Sequence, residues 1–451
     1  MANLFGTDGI RGIANKDLTP ELALSVGRAT ATVLTANSRN HPKFVVGCDT
    51  RLSSGMLSSA VIAGLCSVGA DVIDLGVIPT PAVAFLVGKY KADAGIMISA
   101  SHNPFEYNGI KVFSGDGYKL PDALEEEIEN IIAGSSKRHV DVLAADVGKV
   151  EKGDNAVQDY VSYLKSTVPY SLDGMKIAVD CSNGSASMTA KKLFTELGAE
   201  CFMLNDCPDG ININKNCGST HPEALCAFVK EHGLDAGAAF DGDADRCFCV
   251  DDQGYLIDGD NIMAICATDM KMRGKLHKNT IVGTIMTNLG FVKFCEENDI
   301  DFIATKVGDR YVLEQMLLED FSLGGEQSGH IIFRDFATTG DGELTAIQLL
   351  SQVRRTGKKL SELSGCMTKF PQCMINVTVS PEGKLAYYTD PKIKRAQEAA
   401  REKLGDDGRL VLRASGTEPL IRVMTEHKDT RVAEAVAAEL ADVVRDRLSS
   451  L

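Results

Sequence analysis

Three times along this chain an apolar run of strand length stops abruptly at a loop crowded with polar side chains. Ala94 to Ile98 runs into Ser99-Ala100-Ser101-His102-Asn103-Pro104. Leu234 to Phe240 runs into Asp241-Gly242-Asp243-Ala244-Asp245-Arg246, and Phe321-Ser322-Leu323 into Gly324-Gly325-Glu326-Gln327-Ser328-Gly329-His330. Helix-like segments alternate with the strand-like ones, as expected of parallel sheets covered by helices. Ligands of open α/β sheets bind beyond strand ends, so these loops are where chemistry is expected. A fourth polar loop, Arg413-Ala414-Ser415-Gly416-Thr417-Glu418-Pro419, follows the strand-like Arg409–Leu412.

At 451 residues the chain is too long for one core and divides into several domains. We place them at 1–152, 153–254, 255–367 and 368–451, each with one of the four loops. The expected fold is three similar α/β domains with mixed sheets around a central cleft, plus a smaller C-terminal α+β domain. The last rests on a strand at 373–379 and helices at 391–404 and 430–449. Local signals include Thr19-Pro20, which starts a helix, and Pro121, which opens another that ends near Gly134. A further helix is read from Tyr160 to Val168.

A formal net charge of −15 argues against a broad nucleic-acid or anionic-membrane surface. An acidic protein that binds any anionic ligand must concentrate its Lys and Arg locally. None of the 13 cysteines forms a C-x-x-C pair, which points to free buried thiols in a reducing compartment. The N-terminus carries no basic-then-apolar leader, and no apolar run is long enough to span a bilayer. A soluble, cytoplasmic protein is expected.

A Ser-His-Asp hydrolase is a weak reading of the Ser101 loop. G-x-S-x-G is absent around Ser101, and adjacent side chains in an extended segment point apart, so Ser101 and His102 do not read as a nucleophile and its base. Asp241, Asp243 and Asp245 alternate on a tight turn and offer three hard oxygens to Mg²⁺. An EF-hand fails because Arg246 stands where Gly is required and Asp252 where Glu is required. An aspartyl-phosphate phosphatase would use Asp241 as nucleophile, but Asp245 falls where those enzymes carry Thr or Val, and Ser101 and the Arg413 loop would have no role. The Arg413 loop gathers a guanidinium, two hydroxyls and a Gly-permitted run of N–H groups suited to a tetrahedral dianion, with Arg422 on the next strand to close over it.

Together with the opening Phe5-Gly6-Thr7-Asp8-Gly9-Ile10-Arg11-Gly12, these loops resemble the α-D-phosphohexomutase family, from the first ten residues to the last forty. Gly325 to His330, the opening motif and Val307-Gly308-Asp309-Arg310-Tyr311-Val312 are similar to the branch that interconverts glucosamine 6-phosphate and glucosamine 1-phosphate. The mannose and glucose branches, the alternative reading, usually have Met where Gln327 stands. The resemblance implies that Ser101, beside His102, carries a phosphoryl group as the resting donor. One Mg²⁺ per subunit would be held by Asp241, Asp243, Asp245 and an oxygen on phosphorylated Ser101. Arg11, Lys111 and Arg246 would offset phosphoryl charge, and either Lys111 or His330 would be the general acid or base, which the sequence does not separate.

Glu326, Ser328 and Asp309 would bind the sugar; Arg413, Ser415, Gly416, Thr417 and Arg422 would hold the distant phosphate. The reaction implied is an isomerisation through a bisphosphorylated sugar, supplying UDP-N-acetylglucosamine and cell-wall precursor synthesis. A sugar 1,6-bisphosphate is the expected primer, with a kinase or autophosphorylation as other sources, and a homodimer as the assembly. A regulator built on the same fold would lack the donor or a ligand, and Ser101 and all three aspartates are present.

Overall fold

The computed structural model describes residues 4–6, 8–35, 41–134, 142–415 and 419–448. These form two compact units: one of residues 1–282 and 308–365, the other of residues 283–307 and 366–451.

In the first unit, one sheet contains β1 (Phe5–Gly6), β2 (Gly9–Ile13), β3 (Lys43–Cys48), β4 (Asp71–Val77), β5 (Ala94–Ile98), β6 (Tyr107–Ser114) and β7 (Val150–Lys152), in the order β1-β2-β6-β5-β3-β4-β7. β3 is parallel to β4 and β5, and β6 returns antiparallel to β5. A second sheet contains β8 (Lys176–Asp180), β9 (Glu200–Leu204), β10 (Ala236–Phe240), β11 (Cys247–Val250) and β12 (Leu256–Ile257), ordered β12-β11-β10-β8-β9. Here β10 is parallel to β8 while β11 returns antiparallel. Further on come β13 (Thr280–Thr284), β14 (Asp301–Thr305), β15 (Leu323–Gly325) and β16 (Ile331–Phe333). β15 is parallel to β13 and antiparallel to β16, and β14 falls in the second unit.

One plan therefore recurs three times: a parallel strand, a polar loop, then an antiparallel return. The launching strands β5 and β10 are buried along their whole length, so their interiors must be apolar and their polar chemistry is deferred to the ends. Small residues let helices sit close on them. A Cβ on Gly95 would lie 2.5 Å from Val87, a residue of the helix Thr80–Lys89.

Thr19 caps the helix Pro20–Leu34 through the Leu22 N–H at 3.3 Å, and Pro121 precedes the helix Asp122–Ile132, both as the sequence indicates. The helix read from Tyr160 starts earlier, at Ala156, and ends at Ser166. None of the 13 cysteines is in a disulfide, and Cys207 and Cys366 are exposed rather than buried. Among the described residues no helix is long and apolar enough to cross a membrane.

The second unit carries β17 (Gln372–Thr378), β18 (Gly408–Ala414) and β19 (Leu420–His427), an antiparallel sheet ordered β17-β19-β18. Helices Pro391–Leu404 and Thr430–Leu448 bury Ile393, Leu404, Leu440 and Val444 with Val377, Ile421 and Val423 of the sheet.

Back in the first unit, the helix Gly342–Thr356 begins at a buried acidic pair. Asp341 caps it through the Leu344 N–H at 2.9 Å and accepts from the Tyr160 hydroxyl at 2.8 Å. Glu343 is fully buried; one oxygen accepts from Thr189, and the other has no hydrogen-bond partner. Burial raises its pKa well above the usual carboxyl range against the Thr189 hydrogen bond, so it is held as the neutral acid. A raised carboxyl pKa contributes stability below the unfolded-state value and loses it as pH rises through the folded one. Glu343→Gln is therefore expected to fold, with a melting temperature that gains on the parent between pH 5 and pH 9. Parallel pH profiles for the two proteins would contradict this.

Candidate active site

The loop after β5 is a turn, and Ser101 sits in it at φ 52°, an uncommon region for a residue other than glycine. That conformation directs the Ser101 hydroxyl to donate to Asp241 Oδ2 at 2.6 Å and leaves Oγ 3.3 Å from His102 Nδ1. The expectation that neighbouring Ser101 and His102 side chains point apart held for an extended segment; the turn brings them together instead. Burial first, then Arg246 and Arg11, pushes His102 down to about 4, so its imidazole is neutral at neutral pH.

Asp241, Asp243 and Asp245 follow β10, and one ligand oxygen from each lies within 4.8 Å of the others. Asp241 Oδ1 accepts from the Arg246 N–H at 3.2 Å. Asp243 Oδ2 accepts from Thr80 at 2.5 Å and from Lys111 Nζ at 2.8 Å, and Lys111 is also 3.2 Å from Asp245 Oδ2. Asp243 Oδ1 and Asp245 Oδ1 are buried without a hydrogen-bond partner. Burial, then Asp245 and Asp243, pushes Asp241 up to about 8. Three crowded carboxylates, two with an orphaned oxygen, fit a hard divalent cation with oxygen ligands.

Lys111 comes from β6 and is 2% exposed. Burial works against its charge, but Asp243, Asp8 and Asp245 outweigh it and raise its pKa, so Lys111 is a firmly held ammonium. Asp8, 3.1 Å from Lys111, also pairs with Arg11 and, at 2.5 Å, with Lys119. Burial would raise its pKa, yet Lys111, Lys119 and Arg11 hold it well below the usual carboxylate range. Arg11 donates in addition to Asn103 Oδ1 at 3.3 Å.

His330 closes the other side. Its Nδ1 is 3.7 Å from Asp245 Oδ1, its Nε2 is 3.5 Å from Asp309 Oδ2, and the Gly340 N–H donates to Nε2 at 3.0 Å. Asp309, on the first turn of the helix Asp309–Glu319, is paired with Lys119. Gly342 donates to the Ala244 carbonyl at 2.9 Å, so residues 340–342 brace both His330 and the acidic loop. Arg246 Nε lies 3.9 Å from Asp245 Oδ1.

Glu326 and Ser328 lie in a hairpin turn between β15 and β16. The Glu326 N–H donates to the His330 carbonyl and the Gly329 N–H to the Glu326 carbonyl, each at 3.0 Å. Glu326 Oε1 accepts from the Gly308 N–H at 3.1 Å, while Ser328 Oγ is buried without a partner. Three of the four loops thus meet in one unit.

The fourth belongs to the second unit. Arg413 stands directly opposite Arg422 in the β18–β19 register, and the Ser415 N–H closes the hairpin on the Leu420 carbonyl at 2.9 Å. Like charges facing each other across strands are unfavourable without an anion. Burial and then Arg422 lower the pKa of Arg413 accordingly. Gly416 and Thr417 lie outside the described residues.

Sequence reasoning missed Asp8, Thr80 and Lys119 beside the acidic loop, and Asp49, Arg51 and Asn214, which hydrogen-bond Ser99 or the Ser101 carbonyl. The signal for two of them was available: Asp49-Thr50-Arg51 follows β3, another strand end carrying polar residues.

The chain belongs to the phosphoglucomutase/phosphomannomutase family. Its alpha/beta/alpha domain I matches residues 2–139, domain II 158–254, domain III 258–370 and the C-terminal domain 374–443. Within the family it is 54% identical over 452 residues to a phosphoglucosamine mutase of Thermoanaerobacter sp. (strain X514), covering 100% of both chains. It is likewise 54% identical over 450 residues, again 100% of both, to a phosphoglucosamine mutase of Caldanaerobacter subterraneus subsp. tengcongensis. A solved phosphoglucomutase/phosphomannomutase family protein from Burkholderia thailandensis shares the fold, with a TM-score of 0.83 and 24% identity over 99% of this chain and 98% of that one.

Proposed function

We propose that this protein interconverts glucosamine 6-phosphate and glucosamine 1-phosphate through phosphorylated Ser101 and a bisphosphorylated sugar. The observation that carries the reading is the Ser101 hydroxyl 2.6 Å from Asp241, within a buried acidic group that also engages Lys111. The full-length relatives named phosphoglucosamine mutase support the choice of sugar. A product of this kind feeds UDP-N-acetylglucosamine and cell-wall precursor synthesis.

In the proposed cycle, the 1-hydroxyl of the 6-phosphosugar attacks phosphorylated Ser101. The bond from phosphorus to Ser101 Oγ breaks, a bond to O1 forms, and the hydroxyl proton passes to a base, Lys111 or His330, each of which is biased toward its protonated form by the carboxylates around it. The bisphosphate then turns over and its 6-phosphate returns to Ser101, releasing the 1-phosphate. Asp241, Asp243 and Asp245, with an oxygen on phosphorylated Ser101, would hold one Mg²⁺ per subunit, which when bound offsets phosphoryl charge. Lys111, Arg11 and Arg246 contribute positive charge on the same side. Glu326 and Ser328 take sugar hydroxyls, and Asp309, tied to Lys119, orients His330. A sugar 1,6-bisphosphate supplies the first phosphoryl group.

Assaying glucosamine, glucose and mannose phosphates side by side tests the reading; faster turnover of glucose or mannose phosphate would replace it with the sister activity. Arg413, Ser415, Gly416, Thr417 and Arg422 are proposed to hold whichever phosphate is not reacting. Arg413→Ala is accordingly expected to raise KM for both sugar phosphates about tenfold or more while Ser101 still accepts a phosphoryl group from the bisphosphate. An unchanged KM in both directions would remove the loop from the phosphate site.

A further inference from the structure

We infer that Arg51 and Asn214 are positioning residues that set the angle at which Ser101 presents its hydroxyl, an inference that rests on Ser101 being the phosphoryl carrier. Neither side chain is placed on the Ser101 oxygen that reacts; both grip its backbone. Arg51 Nη2 donates to the Ser101 carbonyl at 3.1 Å and to the Asn103 carbonyl at 2.5 Å. Asn214 Nδ2 donates to the same two carbonyls, at 2.9 and 3.1 Å. Two donors from different parts of the chain thus pull the carbonyls on either side of His102 toward one spot.

The other backbone group of Ser101 leads to the same support. The Ser101 N–H donates to Ser99 Oγ at 3.0 Å, and Ser99 donates in turn to Asp49 Oδ2 at 2.6 Å. Asp49 is the fully buried ion-pair partner of Arg51 and also accepts from Ser54 at 2.7 Å. The N–H and the carbonyl of Ser101 are therefore both tied to one Asp49–Arg51 unit, which accounts for a serine being kept at φ 52°. Asn214 brings in the metal loop. A Cβ on Gly242 would meet the Ser101 carbonyl at 2.6 Å and Asn214 Nδ2 at 2.8 Å, so the clamp packs directly against the backbone that carries Asp241 and Asp243. Fixing the peptide planes around Ser101 fixes where Oγ lies relative to Asp241, and in-line phosphoryl transfer depends on that alignment.

Asn214 is the residue to change, because removing Arg51 would strand Asp49 as an unpaired buried charge and threaten folding. Asn214 itself has φ 58°, which Asp and Gly tolerate, so Asn214→Asp and Asn214→Gly remove the donor without backbone strain. Each variant, and Arg51→Lys, is primed with a sugar 1,6-bisphosphate, and phosphoryl transfer from Ser101 to the sugar 6-phosphate is followed in a single turnover by intact mass.

Both Asn214 variants are expected to take up phosphate to the parent's stoichiometry, and Asn214→Gly, which places no carboxylate against the two carbonyls, to melt near the parent. Their transfer rate and kcat should fall about 30- to 100-fold with KM within about twofold, as for a small misalignment of reacting atoms. Transfer at the parent rate in both Asn214 variants would overturn the inference, as would a loss of rate matched by an equal loss of phosphorylatable protein. If the parent itself takes no phosphate on Ser101, the reading of Ser101 fails first.

Discussion

Ser101→Ala is expected to abolish mutase turnover, by on the order of 10⁵-fold, because it removes the proposed phosphoryl carrier. The fold should survive. The change removes one oxygen, bonded to Asp241 at 2.6 Å, from a loop whose backbone is held by Ser99, Arg51 and Asn214. The variant should melt as a single folded protein and show no phosphoryl adduct after incubation with a sugar bisphosphate. Retained activity, or a stable phosphate mapped to Asp241, would remove Ser101 as the carrier, and the second result would point to an aspartyl-phosphate mechanism on the acidic loop.

Removing divalent cations is the second large effect. Chelation is expected to lower kcat by at least about 10³-fold, comparable to losing a principal electrostatic stabiliser of the transferring group, and added Mg²⁺ should restore it. A readout independent of activity follows from binding linkage: Mg²⁺ at about 100 times its Kd should stabilise the folded protein by about 2.7 kcal/mol. Asp243→Asn should erase most of that stabilisation, since Asp243 Oδ1 is one of the buried oxygens without a hydrogen-bond partner. Full turnover in chelator, or the same Mg²⁺-dependent melting shift in Asp243→Asn, would rule out this site as the metal centre.

Much of this site could be read from local sequence. Ser101, the alternating aspartates and the Glu326 turn each stand beside the strand that launches them, so an apolar run and its polar end give their positions within a few residues. Hydrophobic patterning also located the helices, with boundary errors such as Ala156 in place of Tyr160. The geometry within the loops was less legible. Ser101 and His102 approach each other because of a single positive φ, which neighbouring residue types do not announce.

What the sequence alone determined is the set of chemical groups and the plan that carries them: three strand-end loops bearing a hydroxyl, three carboxylates and a Glu-Ser turn, on sheets whose buried strands had to be apolar. Tertiary structure alone decided which groups work together. Lys111 is a fixed ammonium because Asp8 and Asp243 surround it from far along the chain. Lys119 reaches Asp309 across 190 positions, and Asn214 reaches the Ser101 carbonyl across 113. Such pairs leave no periodic trace in the sequence, because a hydrogen bond or an ion pair depends on distance in space, and that distance is set by how the sheets pack.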